Sequence, residues 1–349
     1  MARAEPGRLP PAPEGLRVRW RERLALHGME YEIPPVATRL PYYLGSLTLT
    51  GIVLAGITGV YLAQFFQPSP IGAHSSVVYI VERAPFGDLA RNLHWWASNA
   101  AVLGVLLHLS WVFYRGSYRP PRELTWWAGV GMLGCLFLLF FTGTTLPYHQ
   151  EGYEALAHNV SVAEMMGPLG SILTGEFTPS TPLLARLYAF HISFLPLVLL
   201  ALLGVHLYLI RHLGIHTQPG ELAAGAFFRD HFRRIAAHAC WLAAALLALS
   251  LLWPRALGFP AIPGVEVTKP PAPFLWMVAL ENWWGVAALA VVVPVGFLAL
   301  VAVPLIDRRR SDSPRGRRWR LAGIAAAWAV LLGLTFAAAL APQQQHIGM

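Results

Sequence analysis

The sequence predicts an all-α integral membrane protein with seven transmembrane helices, and three observations carry that prediction. Hydrophobic residues make up 56% of the 349-residue chain and charged residues only 13%, about half the charged share of a soluble domain; the mean hydropathy is +0.50. Seven apolar runs, 43–66, 92–114, 125–146, 187–210, 235–253, 276–305 and 320–340, are each long enough for a hydrocarbon core that takes about 20 helical residues to cross. The basic residues are segregated: 21 of the 26 lie in the first 42 residues and in the loops after the second, fourth and sixth runs, leaving Arg83, Arg91, Arg186, Arg255 and Lys269 for the other side. Cytoplasmic loops collect Lys and Arg, so the N-terminus is expected in the cytoplasm and the C-terminus outside. The net charge of +8 is then a topology signal, and no nucleic-acid partner is expected.

Taken in order, residues 1–42 form a cytoplasmic segment rich in Arg and Pro. It lacks the apolar stretch of a cleaved signal peptide. Its "VRWRERLALHGMEYEI" portion, 18–33, has the mixed character of a surface-lying amphipathic segment. Runs one to four make a domain at 43–211, a polar linker follows at 212–234, and runs five to seven make a second domain at 235–349. The sixth run is over-long and holds Pro294 and Pro304, so a tilted or kinked helix is expected. Two outer loops are long: 147–186, with turn signals and apolar pieces suited to short surface helices, and the Pro-rich 254–275. Such loops are usually functional or disordered. Cys135 and Cys240 both fall inside apolar runs, where buried core thiols are expected and neither a disulfide framework nor zinc spacing is available.

Four histidines stand at membrane depth. His94 and His108 lie fourteen residues apart in the second run, an advance of about 21 Å that returns to within about 40° of the same helix face. His191 and His206 lie fifteen apart in the fourth, about 22 Å and about 60°. Both runs start outside, so His94 is expected to face His191 at the outer level and His108 to face His206 at the inner level. One intramembrane histidine is more often a hydrogen-bonding group between helices; four, matched in depth across two parallel spans, point to function. Zinc asks for four ligands per site, whereas a six-coordinate haem iron takes two axial ones, and two haems fit the set better. Glycines repeat the interval: Gly45 and Gly59 in the first run and Gly129 and Gly143 in the third are each fourteen apart. Either pair alone suits small-residue helix packing; together they suggest a backbone kept open to a haem plane, as only glycine permits. The first four runs are therefore expected to form a dihaem four-helix bundle.

With "YYLGSLTLTGIVLAGITGVYLAQFF", "RNLHWWASNAAVLGVLLH", "RPPRELTW" and "RLYAFHISFLPL…HLYLIRHLGI" in this order, the chain resembles the cytochrome b family of the bc1 and b6f complexes. The resemblance is strong over about 30–220 and closer to the b6 branch in its fifteen-residue interval and its "PRELTW". The three-span half resembles a fused subunit IV without the eighth helix of mitochondrial-type cytochrome b. The resemblance implies a low-potential haem on His94 and His191, a higher-potential haem on His108 and His206, and propionate contacts from Arg91 and Arg186 by charge-assisted hydrogen bonds. It also implies a Rieske-type iron–sulfur protein, a c-type cytochrome, a quinone (menaquinone or ubiquinone) and a homodimeric complex in a bacterial inner membrane. Tyr43 stands where the b6 branch has a haem-bonding cysteine, so no covalent haem is expected.

At the outer quinol-oxidation loop, where the family carries "PEWY", this chain reads "KPPAPFLWMVALENW" at 269–283. Pro271, Ala272, Pro273 and Phe274 align with the motif and its glutamate is missing. Quinol oxidation releases protons, so a general base is needed; Glu281, together with His149 and Glu151 of "LPYHQE", are the candidates, against the alternative that Glu281 serves a helix end and His149 is solvated. On the inner side Arg211, His212, His216 and Asp230 follow the last histidine of the set, and His212 is the preferred quinone donor. The expected function is the dihaem subunit of a quinol-oxidising oxidoreductase. Its alternatives are a quinone-linked b cytochrome that does not split the two electrons and, less favoured, a haem-free transporter or structural subunit. The chain holds no cysteine motif for an iron–sulfur cluster and no C-x-x-C-H, so such redox partners would be separate chains.

Overall fold

The computed structural model describes residues 30–308 and 313–346; most of the proposed amphipathic segment 18–33 and the region of a signal peptide lie outside them. Among the described residues, seven helices are long and apolar enough to cross a membrane. In chain order the helices are α1 (Leu44–Leu62), α2 (Ala73–Glu82), α3 (Gly87–Arg115), α4 (Glu123–Thr145), α5 (Gln150–Met165), α6 (Leu183–Ala189), α7 (Leu195–Leu213), α8 (Phe228–Leu252), α9 (Leu275–Trp284), α10 (Ala287–Ile306) and α11 (Pro314–Leu340). α6 and α7 are joined by a π-helical turn at Phe190–Phe194 and act as one span. A two-residue antiparallel ladder pairs β1 (Glu32–Ile33) with β2 (Ala226–Phe227). It ties the segment before the first span to the start of the fifth.

Local chemistry explains most boundaries. In α1 the hydroxyls of Thr48, Thr50 and Thr58 donate to carbonyls four residues back at 2.9, 2.9 and 2.7 Å, so these polar groups stay satisfied at membrane depth. α3 ends where Gly116 takes φ +67°, and the amides of Gly116 and Ser117 close back on Phe113 O and Val112 O at 3.0 and 3.1 Å, a Schellman stop. The π turn sits just before Pro196. A proline there has no N–H for the carbonyl of Ile192 four residues back, and the helix widens instead of pressing the ring into that carbonyl.

α1 packs along α3, and α4 along α7. These two pairs make the bundle, whose middle is filled by Cys135, Leu136 and Leu199 with Ile52, Val105 and Leu202 around them. The C-terminal helices lean on its outside. Trp126 and Trp127 donate to Leu300 O and Val301 O of α10 at 2.8 and 3.0 Å, and Trp328 of α11 donates to Ser110 Oγ at 3.0 Å.

Two expectations are corrected. The sixth apolar run is two helices: Gly285, at φ +73°, ends α9, and only α10 is a candidate span. Hydropathy runs on through "ENWWGVAALA", so composition hid a break that one left-handed residue makes. Cys135 is buried as expected, whereas Cys240 is exposed, because α8 meets the bundle with only part of its circumference. The fifth span, α8, also begins inside the expected linker, at Phe228.

Candidate functional site

The four membrane histidines project into the bundle from α3 and from the α6–α7 span. His94 and His191 stand with ring centroids 6.4 Å apart. Two metal–nitrogen bonds of about 2 Å each, with the imidazoles' own radii added, come to about 6 Å, so the pair is spaced for one metal ion between its nitrogens. Helix carbonyls and hydroxyls hold the other ring nitrogen. His94 Nδ1 lies 2.8 Å from Ala55 O and 3.1 Å from Thr58 Oγ1. His191 Nδ1 lies 2.8 Å from Thr142 Oγ1, and His206 Nδ1 lies 2.9 Å from Thr125 O. Nδ1–H donation of this kind fixes the tautomer that leaves the Nε2 lone pair for a metal. The Nδ1 of His108 is buried without a partner. The carbonyls that accept from the other three, those of Ala55, Thr125 and Leu139, belong to α-helix four residues before a glycine; for His108 that position is Pro41, which lies in a 3-10 turn ahead of α1.

The glycines serve these rings. A Cβ on Gly45 would stand 3.1 Å from His108 Cε1, on Gly59 3.2 Å from His94 Cε1, on Gly143 3.1 Å from His191 Cε1, and on Gly129 3.7 Å from His206 Cε1. Each glycine therefore backs one imidazole. Thr58 and Thr142, which reach His94 and His191, carry no mark in hydropathy or histidine spacing. Each directly precedes its glycine, and the repeated Thr-Gly could have marked them.

The other candidates scatter. Arg91 donates to Arg255 O and Ala256 O at 2.9 and 3.1 Å, and Arg186 to Ile172 O at 2.6 Å and to Thr174 O; both guanidiniums hold loops of the end expected to be outer. At the opposite end Arg211 lies 4.0 Å over the Tyr31 ring, and His212 stacks on Tyr208. Asp230 meets Arg229 and Arg233 at its own helix start. His216, 3.1 Å from Ser117 Oγ, lines an open cavity of about 710 Å³ with Arg119 and Gln218.

The three proton-acceptor candidates fall into two groups. His149 caps α5, its Nδ1 accepting from Gly152 N at 3.2 Å, and burial, then Arg255, push it down to about 4. Glu151 pairs with Arg255 at 2.7 Å, and burial outweighs that cation, so its carboxyl titrates above the ordinary range. Glu281, on α9, instead faces His158 at 3.4 Å and belongs with Glu266 and His346, three residues that had drawn no attention in the sequence. It is buried, in the last turn of α9, where its carbonyl accepts the closing amide of Gly285 at 2.8 Å. Pro271–Phe274 forms a tight turn into α9, with the Phe274 ring against Phe137, Phe140 and Phe141 of α4.

The fold is a helical membrane bundle in which His94 meets His191 and His108 lies within electrostatic reach of His206. The family model Cytochrome b/b6/petB matches residues 29–214, over half of the chain. The chain belongs to the cytochrome b/b6 family, which implies b-type haem and quinone binding. It is 36% identical over 190 residues to cytochrome b6 of Heliobacterium mobile, covering 53% of this chain and 89% of that protein. With the cytochrome bc complex cytochrome b subunit of Chlorobaculum thiosulfatiphilum it shares 29% over 312 residues, 84% of this chain and 72% of that one. A third relative is the menaquinol:cytochrome c reductase cytochrome b subunit of Geobacillus thermodenitrificans, 31% identical over 203 residues, 56% of this chain and 90% of the relative. A chain of a hyperthermophilic respiratory Complex III has the same fold, with a TM-score of 0.75 at 24% identity, over 94% of this chain and 90% of that one.

Proposed function

We propose that the chain is the dihaem cytochrome b subunit of a bc-type quinol:cytochrome c reductase complex. The observation that carries this reading is the pair His94–His191 with its 6.4 Å ring separation, repeated in depth by His108 and His206. His94 and His191 would hold the outer haem iron, and His108 and His206 the inner one. The haems, when bound, supply one-electron carriers at two depths of the membrane. The remaining chemistry belongs to the chain. Ala55, Thr58, Thr142 and Thr125 orient the imidazoles, and the bundle excludes water from them. The positive-inside distribution supports placing α5 and the Pro271–Phe274 turn on the outer face. There they flank the end of α4 and the outer histidine pair, which makes this the proposed quinol-oxidation site.

A quinol oxidised there gives up two electrons and two protons. Glu151 is the proposed acceptor for a proton: it lies in the first turn of α5, and burial raises its titration above the ordinary carboxylate range, the direction a general base needs. As pH falls through that range Glu151 becomes protonated and can no longer accept, so quinol-driven b-haem reduction should slow toward acid. Glu151→Gln should flatten the acid limb, and an unchanged limb would remove Glu151 from the reaction. The partners on this reading are a Rieske-type protein, a c-type cytochrome and a second copy of the complex.

The test of the whole reading is oxidant-induced reduction of b haem in native membranes with the inner quinone site inhibited. More reduced b haem on adding oxidant means that one quinol splits its electrons. Haem without that response means a b cytochrome that does not split them, an alternative favoured by the missing motif glutamate. A pyridine haemochrome value of two b haems per chain is expected, and a value of zero defeats both.

A further inference from the structure

We propose that His158, Glu266, Glu281 and His346 form a binding site for one divalent transition-metal ion of the zinc class, separate from the haem positions. Four distant stretches bring the side chains together: α5, the loop before Lys269, α9 and the segment after α11. One ligand atom each from His158, Glu266 and His346 lie within 4.8 Å of one another. His158 Nε2 stands 3.5 Å from Glu266 Oε1 and 3.4 Å from Glu281 Oε1. Those separations are long for hydrogen bonds, yet they match the edges of a tetrahedron around an ion with bonds of about 2.0–2.1 Å, which are about 3.3 Å long.

Three further observations point to an ion. His158 Nε2 and Glu281 Oε1 are both buried and neither has a hydrogen-bond partner, although the Glu281 side chain is only 5% exposed. Each histidine already has its other nitrogen engaged as metal-bound imidazoles usually do: His158 Nδ1 lies 2.8 Å from Glu154 O, and His346 Nε2 lies 2.7 Å from Asn282 Oδ1. That leaves His158 Nε2 and His346 Nδ1 facing the two carboxylates. His346 Nδ1 is 2.8 Å from Glu266 Oε1; a neutral ring that donates to Asn282 has only a lone pair to offer there. A cation between them resolves the clash. Two carboxylates buried together also need two positive charges, and one divalent ion supplies them while two imidazoles and two carboxylates complete a four-ligand shell. The site goes beyond the quinol reading and does not depend on it. Its structural effect is to pin the segment after α11 over α5 and α9.

The purified, haem-loaded complex would be stripped with a chelator, equilibrated with zinc, passed through a desalting column and assayed for zinc per cytochrome b chain. One equivalent is expected, with a zinc-edge X-ray absorption signal of two imidazoles and two oxygens at about 2.0–2.1 Å. His158→Ala and His346→Gln should weaken zinc binding at least as much as loss of an outer-shell partner does, about 10–100-fold. Haem content in the same samples shows that each variant is folded. Haem-replete wild-type complex that retains no zinc, or zinc that both variants hold as tightly as wild type, overturns the site. So does a spectrum without imidazole scattering. None of these results touches the haem assignment, which the haem content alone decides.

Discussion

The two histidine-bearing spans do the same job with different backbones. α3 is a continuous α-helix from Gly87 to Arg115 and carries His94 and His108 fourteen residues apart. The partner span carries His191 and His206 fifteen apart and is interrupted at Phe190–Phe194 by a π turn that contains the first of them. A residue contributes about 100° of rotation in an α-helix, so on an unbroken helix a fourteen-residue interval falls about 40° short of four turns and a fifteen-residue one overshoots them by about 60°, a swing of about 100° in the direction of the second ring. A π turn adds one residue without adding its share of rotation. His191 is thereby returned to the face that meets His94. An interval in sequence becomes a depth and a direction only through the helix type between its ends.

The largest expected effect is removal of a ring. His191→Leu should lower the pyridine haemochrome value from two b haems per chain to one and spare the His108–His206 pair; loss of both would mean that the positions are not separate. Register comes next. One alanine inserted between Ala100 and Ala101 of α3 turns His94 away from His108 by about 100° and should cost a haem. Deleting Ile192 from the π turn converts that span to the fourteen-residue pattern of α3 and should retain both haems, with a shift in the b-band spectrum. Equal haem loss in the two variants would remove the π turn from the explanation. The glycines give the smallest contrast. At Gly143 a Cβ would lie 3.1 Å from the His191 ring, but at Gly129 3.7 Å from the His206 ring. Gly143→Ala should therefore displace its imidazole at a cost of about 1–3 kcal/mol, read as weakened haem retention or a lower melting temperature. Gly129→Ala should be close to neutral. The reverse order would mean that the glycines serve something other than the imidazoles.

The spans and the four histidines were legible because both are local signals. Apolar length needs only consecutive residues, and ring depth needs only the helical rise, although the direction of His191 also depends on the π turn. The break at Gly285 was not legible, since Trp283, Trp284 and Val286 are apolar on either side and hydropathy carries no record of φ. Cys240 looked like a core residue for a related reason: in a lipid-facing helix an apolar sequence is equally at home on the outside of the bundle.

The sequence by itself determined the membrane class, the order of the spans, the spacing in depth of His94, His108, His191 and His206, and the matching interval of the glycines, because helix rise converts spacing directly into depth. The tertiary structure alone decided the arrangement of the end expected to be outer. It brought Glu151 to Arg255 across 104 residues, and it separated Glu281 from both His149 and Glu151. It also joined Glu281 to His158, Glu266 and His346. Those contacts form between loops and helix ends with no common period, and their partners are set by how the bundle and the three later helices pack, which no interval along the chain encodes.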